Sequence, residues 1–273
     1  MKKFFAVTGI ISGVFLVLGA ALLGIGFLCG GKFTPIGLVN GHFVTDYAYQ
    51  QEYKEIEAFD TIEIDVDAEN IEIISGDTYA IEYAVSNDVF SCAVKDGILK
   101  ISSENTMKFN ITLWSGCYLK IYVPSDESLK YDADISNGAG SITISGVNFD
   151  KLSVDCDAGA VRCKNVTAVT VNADLSAGDF EYKGTCSGSF KSELDMGNAE
   201  ISGFIDCDMD IRADMGSIYV TSYYSYPSYS IDIDVSMGNK AIHDNGGKES
   251  DKVNKWNLVC DMGSVDVTFE DEK

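Results

Sequence analysis

The chain has 273 residues, a formal net charge of −22 and a hydrophobic fraction of 46%, so it is long enough for one large domain and apolar enough to bury a core. So acidic a chain offers no basic face to phosphates or to anionic lipid, which excludes nucleic acid as a partner and excludes membrane docking by charge. Three prolines against 26 glycines, with abundant Val, Ile, Tyr and Thr, is the composition of β-structure closed by glycine turns.

In chain order, the first expected element is a membrane anchor over residues 1–31. Lys2 and Lys3 precede an uncharged run from Phe4 to Cys29, longer than the roughly 20 residues that cross a bilayer. The positive-inside rule places the N-terminus in the cytoplasm and the chain beyond Gly31 outside. No Ala-x-Ala site ends the run, and Leu28 stands before Cys29 where a lipoprotein signal needs a small residue. The expectation is therefore an uncleaved, single-pass anchor in the cell membrane.

Residues 32–58 read as a linker. From 59 to 124 the alternation of Ile62, Ile64 and Val66, then Ile71 and Ile73, then Ile81 and Tyr83, predicts a β-meander that begins the domain, with Asp96-Gly97 as a hairpin turn.

Residues 125–273 carry a repeat. Gly140, Gly159, Gly178, Gly197 and Gly216 recur every nineteen residues, and Gly238 and Gly263 follow at 22 and 25. Around them the sequence repeats as Asp157-Ala-Gly, Asp195-Met-Gly, Asp214-Met-Gly and Asp261-Met-Gly. Two residues after the glycine stand Ile142, Val161, Phe180, Ala199 and Ile218; five before it stand Ile135, Val154, Ala173, Ser192 and Ile211. Intervening positions are polar, so each repeat reads as two strands, apolar inward and polar outward, bent at Asp-x-Gly. Gly146, Asn165, Gly184 and Gly203 mark a second turn. A unit this short encloses no core alone, whereas a stack of them does. The expected fold is all-β, a right-handed β-solenoid or β-helix of about nineteen-residue coils, preceded by one N-terminal transmembrane helix. Lys240 falls in an apolar column and puts the register of the sixth coil in question.

Candidate chemistry is sparse. Cys156, Cys163 and Cys260 occupy inward columns and read as small hydrophobes. Cys156 and Cys163 flank one turn of one coil, where a bridge is open to them. Cys186 and Cys207 are offset along the coil and are expected to be too far apart for the roughly 5.5 Å that a disulfide needs between Cα atoms. Asp195 and Asp214 stack on neighbouring coils, where turn hydrogen bonds explain them without a metal. With 2 histidines, an Arg162 that reads as isolated, and no nucleophile elbow, Walker loop or dinucleotide fingerprint, neither catalysis nor a cofactor is expected. The insertion Ser222-Tyr-Tyr-Ser-Tyr-Pro-Ser-Tyr229 is rich in the residues that make adaptable binding surfaces. Tyr223, Tyr224 and Tyr226 are therefore the expected partner-binding residues, with covering of the solenoid flank as the plainer alternative. The second insertion, Asp244 to Lys252, reads as a solvated loop.

Phe59-Asp-Thr-Ile-Glu-Ile-Asp-Val, Ile71-Glu-Ile-Ile-Ser-Gly-Asp, Ile121-Tyr-Val-Pro124 and the Gly-x-Ile-x-Ile-x-Gly turns from Gly140 resemble the bacterial putative-adhesin family of β-strand-repeat proteins, a domain of unknown function. The resemblance spans roughly residues 56–270. It implies a surface β-solenoid with no catalytic residues, and some relatives look like membrane-anchored accessory proteins of cell-envelope stress operons. The expected function is a non-catalytic, extracytoplasmic binding or scaffolding module with an envelope protein or polysaccharide as partner. The alternative is an accessory sensor in an envelope stress response, acting through a membrane partner.

Overall fold

The computed structural model describes residues 37–39, 42–44, 50–85, 89–104, 117–250 and 253–272; the expected transmembrane helix lies outside them. The described residues fall in two units. In the smaller, β1 (Gly37–Val39) pairs antiparallel with β2 (His42–Val44). Everything below concerns the larger unit, which is all-β.

Its middle is the repeat seen in the sequence. Each coil has two legs joined at the glycine corner. The first legs are β10 (Tyr131–Ala139), β12 (Asn148–Ala158), the second half of β13 (Val161–Ala177) and that of β14 (Phe180–Met196). The second legs are β11 (Ile142–Ser145), the first halves of β13 and β14, and β15 (Ala199–Ile205). Neighbouring coils pair in parallel at the nineteen-residue offset, Val154 with Ala173 and Ala173 with Ser192 on one leg, Ile142 with Val161 and Val161 with Phe180 on the other. Strands lie about 4.8 Å apart in such a ladder. The inward columns are buried as the alternation requires, from Ile135 to Ile211 and from Ile142 to Ile218.

The corners explain the glycines. Gly178 has φ +150°, and a Cβ added there would drive into the carbonyl oxygen of Gly159 on the coil below. At Gly178, Gly197 and Gly216 the residue after the glycine knits the corner: Asp179 Oδ1 accepts from the Asn198 N–H (2.9 Å), Asn198 Oδ1 from the Ser217 N–H (3.0 Å) and Ser217 Oγ from the Ser264 N–H (3.2 Å). Net stabilisation per bond is about 1 kcal/mol.

Both ends depart from chain order. At the C-terminal end, β16 (Asp208–Met215) and β17 (Ile218–Ser222) pair with the last strand, β19 (Asn254–Phe269), and not with β18 (Tyr229–Asp244). The 229–244 coil lies beyond β19, with Gly238 opposite Gly263. The chain overshoots by one coil and then fills the gap. The Lys240 problem is thereby resolved: the register holds, and Lys240 lies in the outermost described coil, where it is exposed and its Nζ donates to the Ile233 carbonyl at 2.9 Å.

The N-terminal end is built the same way, which corrects the meander expected over 59–124. A meander pairs consecutive strands, but β4 (Thr61–Val66) and β5 (Asn70–Gly76) are two legs of one coil. That coil lies between β10/β11 on one side and β8 (Ile98–Glu104) with β9 (Tyr118–Pro124) on the other, all in parallel. β6 (Ala80–Val85) pairs antiparallel with β9, and β7 (Val89–Lys95) forms with β8 the hairpin expected at Asp96-Gly97, both with positive φ. β3 (Gln50–Glu55), inside the expected linker, pairs with β6. A buried polar group ties three coils here: Ser103 donates to Glu69 Oε2 (3.2 Å) and Asn137 Nδ2 to the Glu69 carbonyl (3.0 Å). Burial pushes the Glu69 carboxyl above its ordinary range, against the lowering by the Ala68 N–H and the Ser103 hydroxyl.

Candidate interaction surface

The chain crosses from β17 to the outermost coil through the tyrosine insertion, so these residues lie over the flank of three coils. Tyr223 and Tyr224 meet the Phe204 ring edge-on at centroid distances of 5.4 and 5.5 Å, and Tyr226 lies 5.3 Å from Phe269. Beneath them Tyr229 is buried against Trp256 at 4.1 Å, and its hydroxyl donates to the Ile205 carbonyl at 2.7 Å. Trp256 Nε1 donates to the Cys207 carbonyl at 3.1 Å. Of the three residues singled out from the sequence, Tyr226 is exposed, at 39%, while Tyr223 and Tyr224 are half-buried and Tyr224 packs on the core. All three thus line one aromatic edge that covers the flank and keeps part of its surface in solvent.

The second insertion, read as a solvated loop, is laid against the first. Ser225 N–H donates to the Lys248 carbonyl and Lys248 N–H to the Tyr223 carbonyl, each at 2.8 Å. Asp206 then accepts from Ser250 Oγ (3.2 Å) and Asn254 Nδ2 (3.0 Å), clasping the loop to the stack. Two insertions separated by a whole coil carry no sequence signal for their contact.

Outward side chains form charged rows along the stack. Arg162, which reads as isolated, lies 3.7 Å from Glu181, and Lys183 bridges Glu181 (2.8 Å) and Glu200 (3.6 Å). Lys183 holds the Glu181 carboxyl below its ordinary range. On the other leg Asp155, Asp174 and Glu193 stack on successive coils beside Lys191, along a cleft of about 450 Å³. Burial first, then Asp155, raises the Asp174 carboxyl. Arg212 pairs with Asp214 at 3.0 Å and Asp261 at 3.4 Å, so part of the stacked aspartate column is neutralised by a guanidinium. Exposed pairs of this kind contribute at most about 1 kcal/mol each, and their fixed rows give the surface a charge pattern more than they give it stability. Among the described residues no cluster of three or more His, Cys, Asp or Glu is arranged to hold a metal ion.

The seven described cysteines are unbridged. Burial pushes the Cys163 thiol up to about 12. Cys260 Sγ donates to the Gly216 carbonyl at 3.3 Å, one thiol capping one glycine corner. Cys186 and Cys207, expected from the sequence to lie too far apart for a bridge, are both free thiols. In the ladder Cys186 pairs with Ile205, two residues short of Cys207, and its thiol donates to the Ser189 carbonyl at 3.5 Å. The neighbouring Cys207 thiol, foremost, and the amides of residues 187–189 lower the Cys186 thiol against the burial that raises it.

Residues 59–239 match the family model described as Toastrack DUF4097. A crystal structure of a "putative adhesin" from Bacteroides fragilis superposes with a TM-score of 0.56 at 15% identity, covering 81% of this chain and 98% of that one. Crystal structures of a "putative cell adhesion protein" from Clostridium sporogenes (TM-score 0.41, 14% identity, 81% and 100% covered) and of a "putative lipid binding protein" from Parabacteroides distasonis (0.42, 15%, 80% and 96%) are also similar. No curated protein matches the chain.

Proposed function

Because the chain belongs to the Toastrack DUF4097 family, a domain of unknown function whose structural relatives include proteins described as adhesins, we propose that it is a non-catalytic binding or scaffolding module of the cell envelope. In this reading the coils form a right-handed β-solenoid, the hand that parallel crossovers adopt almost without exception. The uncharged run from Phe4 to Cys29 anchors it once in the cell membrane, with the coils outside. Among the described residues no helix is long and apolar enough to span a bilayer.

The observation that carries the proposal is the aromatic edge. Tyr223, Tyr224 and Tyr226 are held in place by Phe204 and Phe269 yet keep part of their rings in water. Rigid rings with polar tips bind proteins and sugars at little entropic cost. The test is pull-down from native membranes, together with binding to cell-wall polysaccharide, using the full chain and a Tyr223→Ser/Tyr224→Ser/Tyr226→Ser variant. Loss of a specifically captured envelope protein or polysaccharide in the triple variant, with its far-UV circular dichroism retained, is the expected result. Capture that survives all three substitutions would move the site elsewhere. Protease added to cells with an opened envelope is expected to degrade the coils, and their protection would refute the outward orientation.

A further inference from the structure

The Asp-Met-Gly repeat has a role that neither the corner nor the aromatic edge uses. In the column just before the corner glycine, Met196 pairs with Met215, Met215 with Met262, and Met262 with Met237. Four methionines thus stand on four successive coils in one unbroken row. All four are exposed, at 48%, 43%, 43% and 62% respectively. The same column in the earlier coils holds Ala139, Ala158 and Ala177. The corner therefore folds without a long side chain, and core packing does not account for the change to methionine. We propose that this ladder binds a soft monovalent d10 cation, Cu(I) or Ag(I), between neighbouring thioethers.

The spacing suits the chemistry. Two sulfurs joined linearly through one ion stand roughly 4.6 Å apart, twice a metal–sulfur bond of about 2.3 Å. Adjacent strands of the ladder are about 4.8 Å apart, so neighbouring side chains reach one ion with little change of course. The corner glycines beside them are closely stacked, so that an added Cβ at Gly216 would meet the Gly197 carbonyl and one at Gly263 the Gly216 carbonyl. The row is thus pre-set in register, while the unbranched methionine side chains keep the freedom to close on an ion. Thioether sulfur is a soft, neutral ligand that selects Cu(I) over the hard cations that carboxylates prefer. Asp195, Asp214 and Asp261 adjoin the row and the whole chain is acidic, which draws cations toward it, although Arg212 neutralises part of that charge. Since thioethers carry no proton to lose, occupancy should not depend on pH between about 5 and 8, unlike that of a histidine or thiolate site.

The test is silver nitrate, which needs no reductant, titrated in chloride-free buffer into the full chain in detergent with its methionine methyl groups labelled with carbon-13. The titration is carried past the equivalents taken up by the thiols. Single Met→Leu variants assign the signals. The methyl resonances of Met196, Met215, Met262 and Met237 should shift together, and that of buried Met209 should stay. Met215→Leu/Met262→Leu leaves Met196 and Met237 three strand spacings apart, roughly 14 Å, too far to share an ion. The silver concentration for half-shift should then rise by at least about tenfold, the loss expected when a two-point site becomes two single points. Met196→Leu, which spares the central pair, should change it by under about threefold on the same argument. Half-shift at the concentration seen for N-acetylmethionine, or a double variant that titrates like the parent, overturns the proposal and leaves the row as an apolar stripe.

Discussion

The middle of the stack and its two ends obey the same local rules and differ in order. Between Tyr131 and Ile205 each coil lies on the one before it in sequence, and the columns are buried throughout. At either end a coil is skipped and filled from elsewhere: the 61–76 coil is slotted between β8/β9 and β10/β11, and β19 between β16/β17 and β18. A parallel ladder accepts any strand with the right alternation, so the backbone alone does not say which coil goes where. At the C-terminal end side chains decide it. Trp256 and Phe269 are almost wholly buried and stack on Tyr229, whereas the outermost coil carries Lys240 and the exposed Met237 and Ile242. The coil with large apolar groups goes inside, and the one that tolerates water closes the stack.

The largest effect should come from removing the last coil. Deleting residues 254–273 takes away the only described partner strand of β18 and uncovers β16 and β17. The expected result is a fall in melting temperature upwards of roughly 10 °C, or outright loss of soluble protein, since several kilocalories of buried aromatic surface go with it. Were the coils stacked in chain order, the same deletion would strip one terminal coil and shift the transition little. Thermal unfolding of the truncated chain separates the two arrangements.

This contrast also shows what the sequence discloses. Between Gly140 and Gly216 the period is constant, and the columns of Ile142, Val161, Phe180, Ala199 and Ile218 could be read directly because every coil meets its sequence neighbour. Beyond Gly216 the intervals of 22 and 25 residues give loop lengths and not destinations. Loop closure rises only slowly in cost with length, so nothing local forbids the overshoot. Among the candidate site residues, the tyrosines were visible as a cluster, but their lean on Phe204 and Phe269 depends on the skipped order and could not be. Ile62 and Ile71 fall in strands whose alternation was legible while their parallel partners were not.

A milder break compares equivalent corners. Gly178→Ala, in the middle, forces a Cβ into the Gly159 carbonyl at φ +150° with coils pinned on both sides. It should cost about 3 kcal/mol or more, read as a drop of roughly 6–12 °C in melting temperature. Gly238→Ala makes the same collision with the Gly263 carbonyl, but the outermost coil can lift away. Less than half the loss is expected, with faster hydrogen exchange confined to residues 229–244. Equal losses at the two sites would mean that the end coil is as firmly held as the middle.

Smaller still is the difference within the aromatic edge. Tyr224→Ser removes a ring packed on the core and should lower stability by roughly 1–2 kcal/mol, whereas Tyr226→Ser, at an exposed position, should stay within about 0.5 kcal/mol. Chemical denaturation of the two single variants measures both. If Tyr224→Ser is also silent, the insertion is not fastened to the flank, and its value as a binding edge rests on mobility instead.

The smallest effect is a pH dependence at the N-terminal end, where Glu69 joins three coils that are not consecutive in the chain. Burial raises the Glu69 carboxyl above its ordinary value of 4.5. An acid whose pKa is higher folded than unfolded binds its proton more readily in the folded state. Its ionised form therefore detracts from stability at neutral pH, and that penalty fades as pH falls through the folded pKa toward the unfolded one. Glu69→Gln keeps an oxygen to accept from the Ala68 N–H and the Ser103 hydroxyl and removes the charge. It should stabilise the domain by under about 1 kcal/mol at pH 7, with the difference shrinking to nothing below about pH 4. Denaturation curves of parent and variant at pH 7, 5.5 and 4 measure that convergence. A variant less stable at pH 7 would show that the carboxylate's hydrogen bonds outweigh its desolvation, and that the N-terminal end, unlike the aromatic-filled C-terminal one, is fastened by a charge.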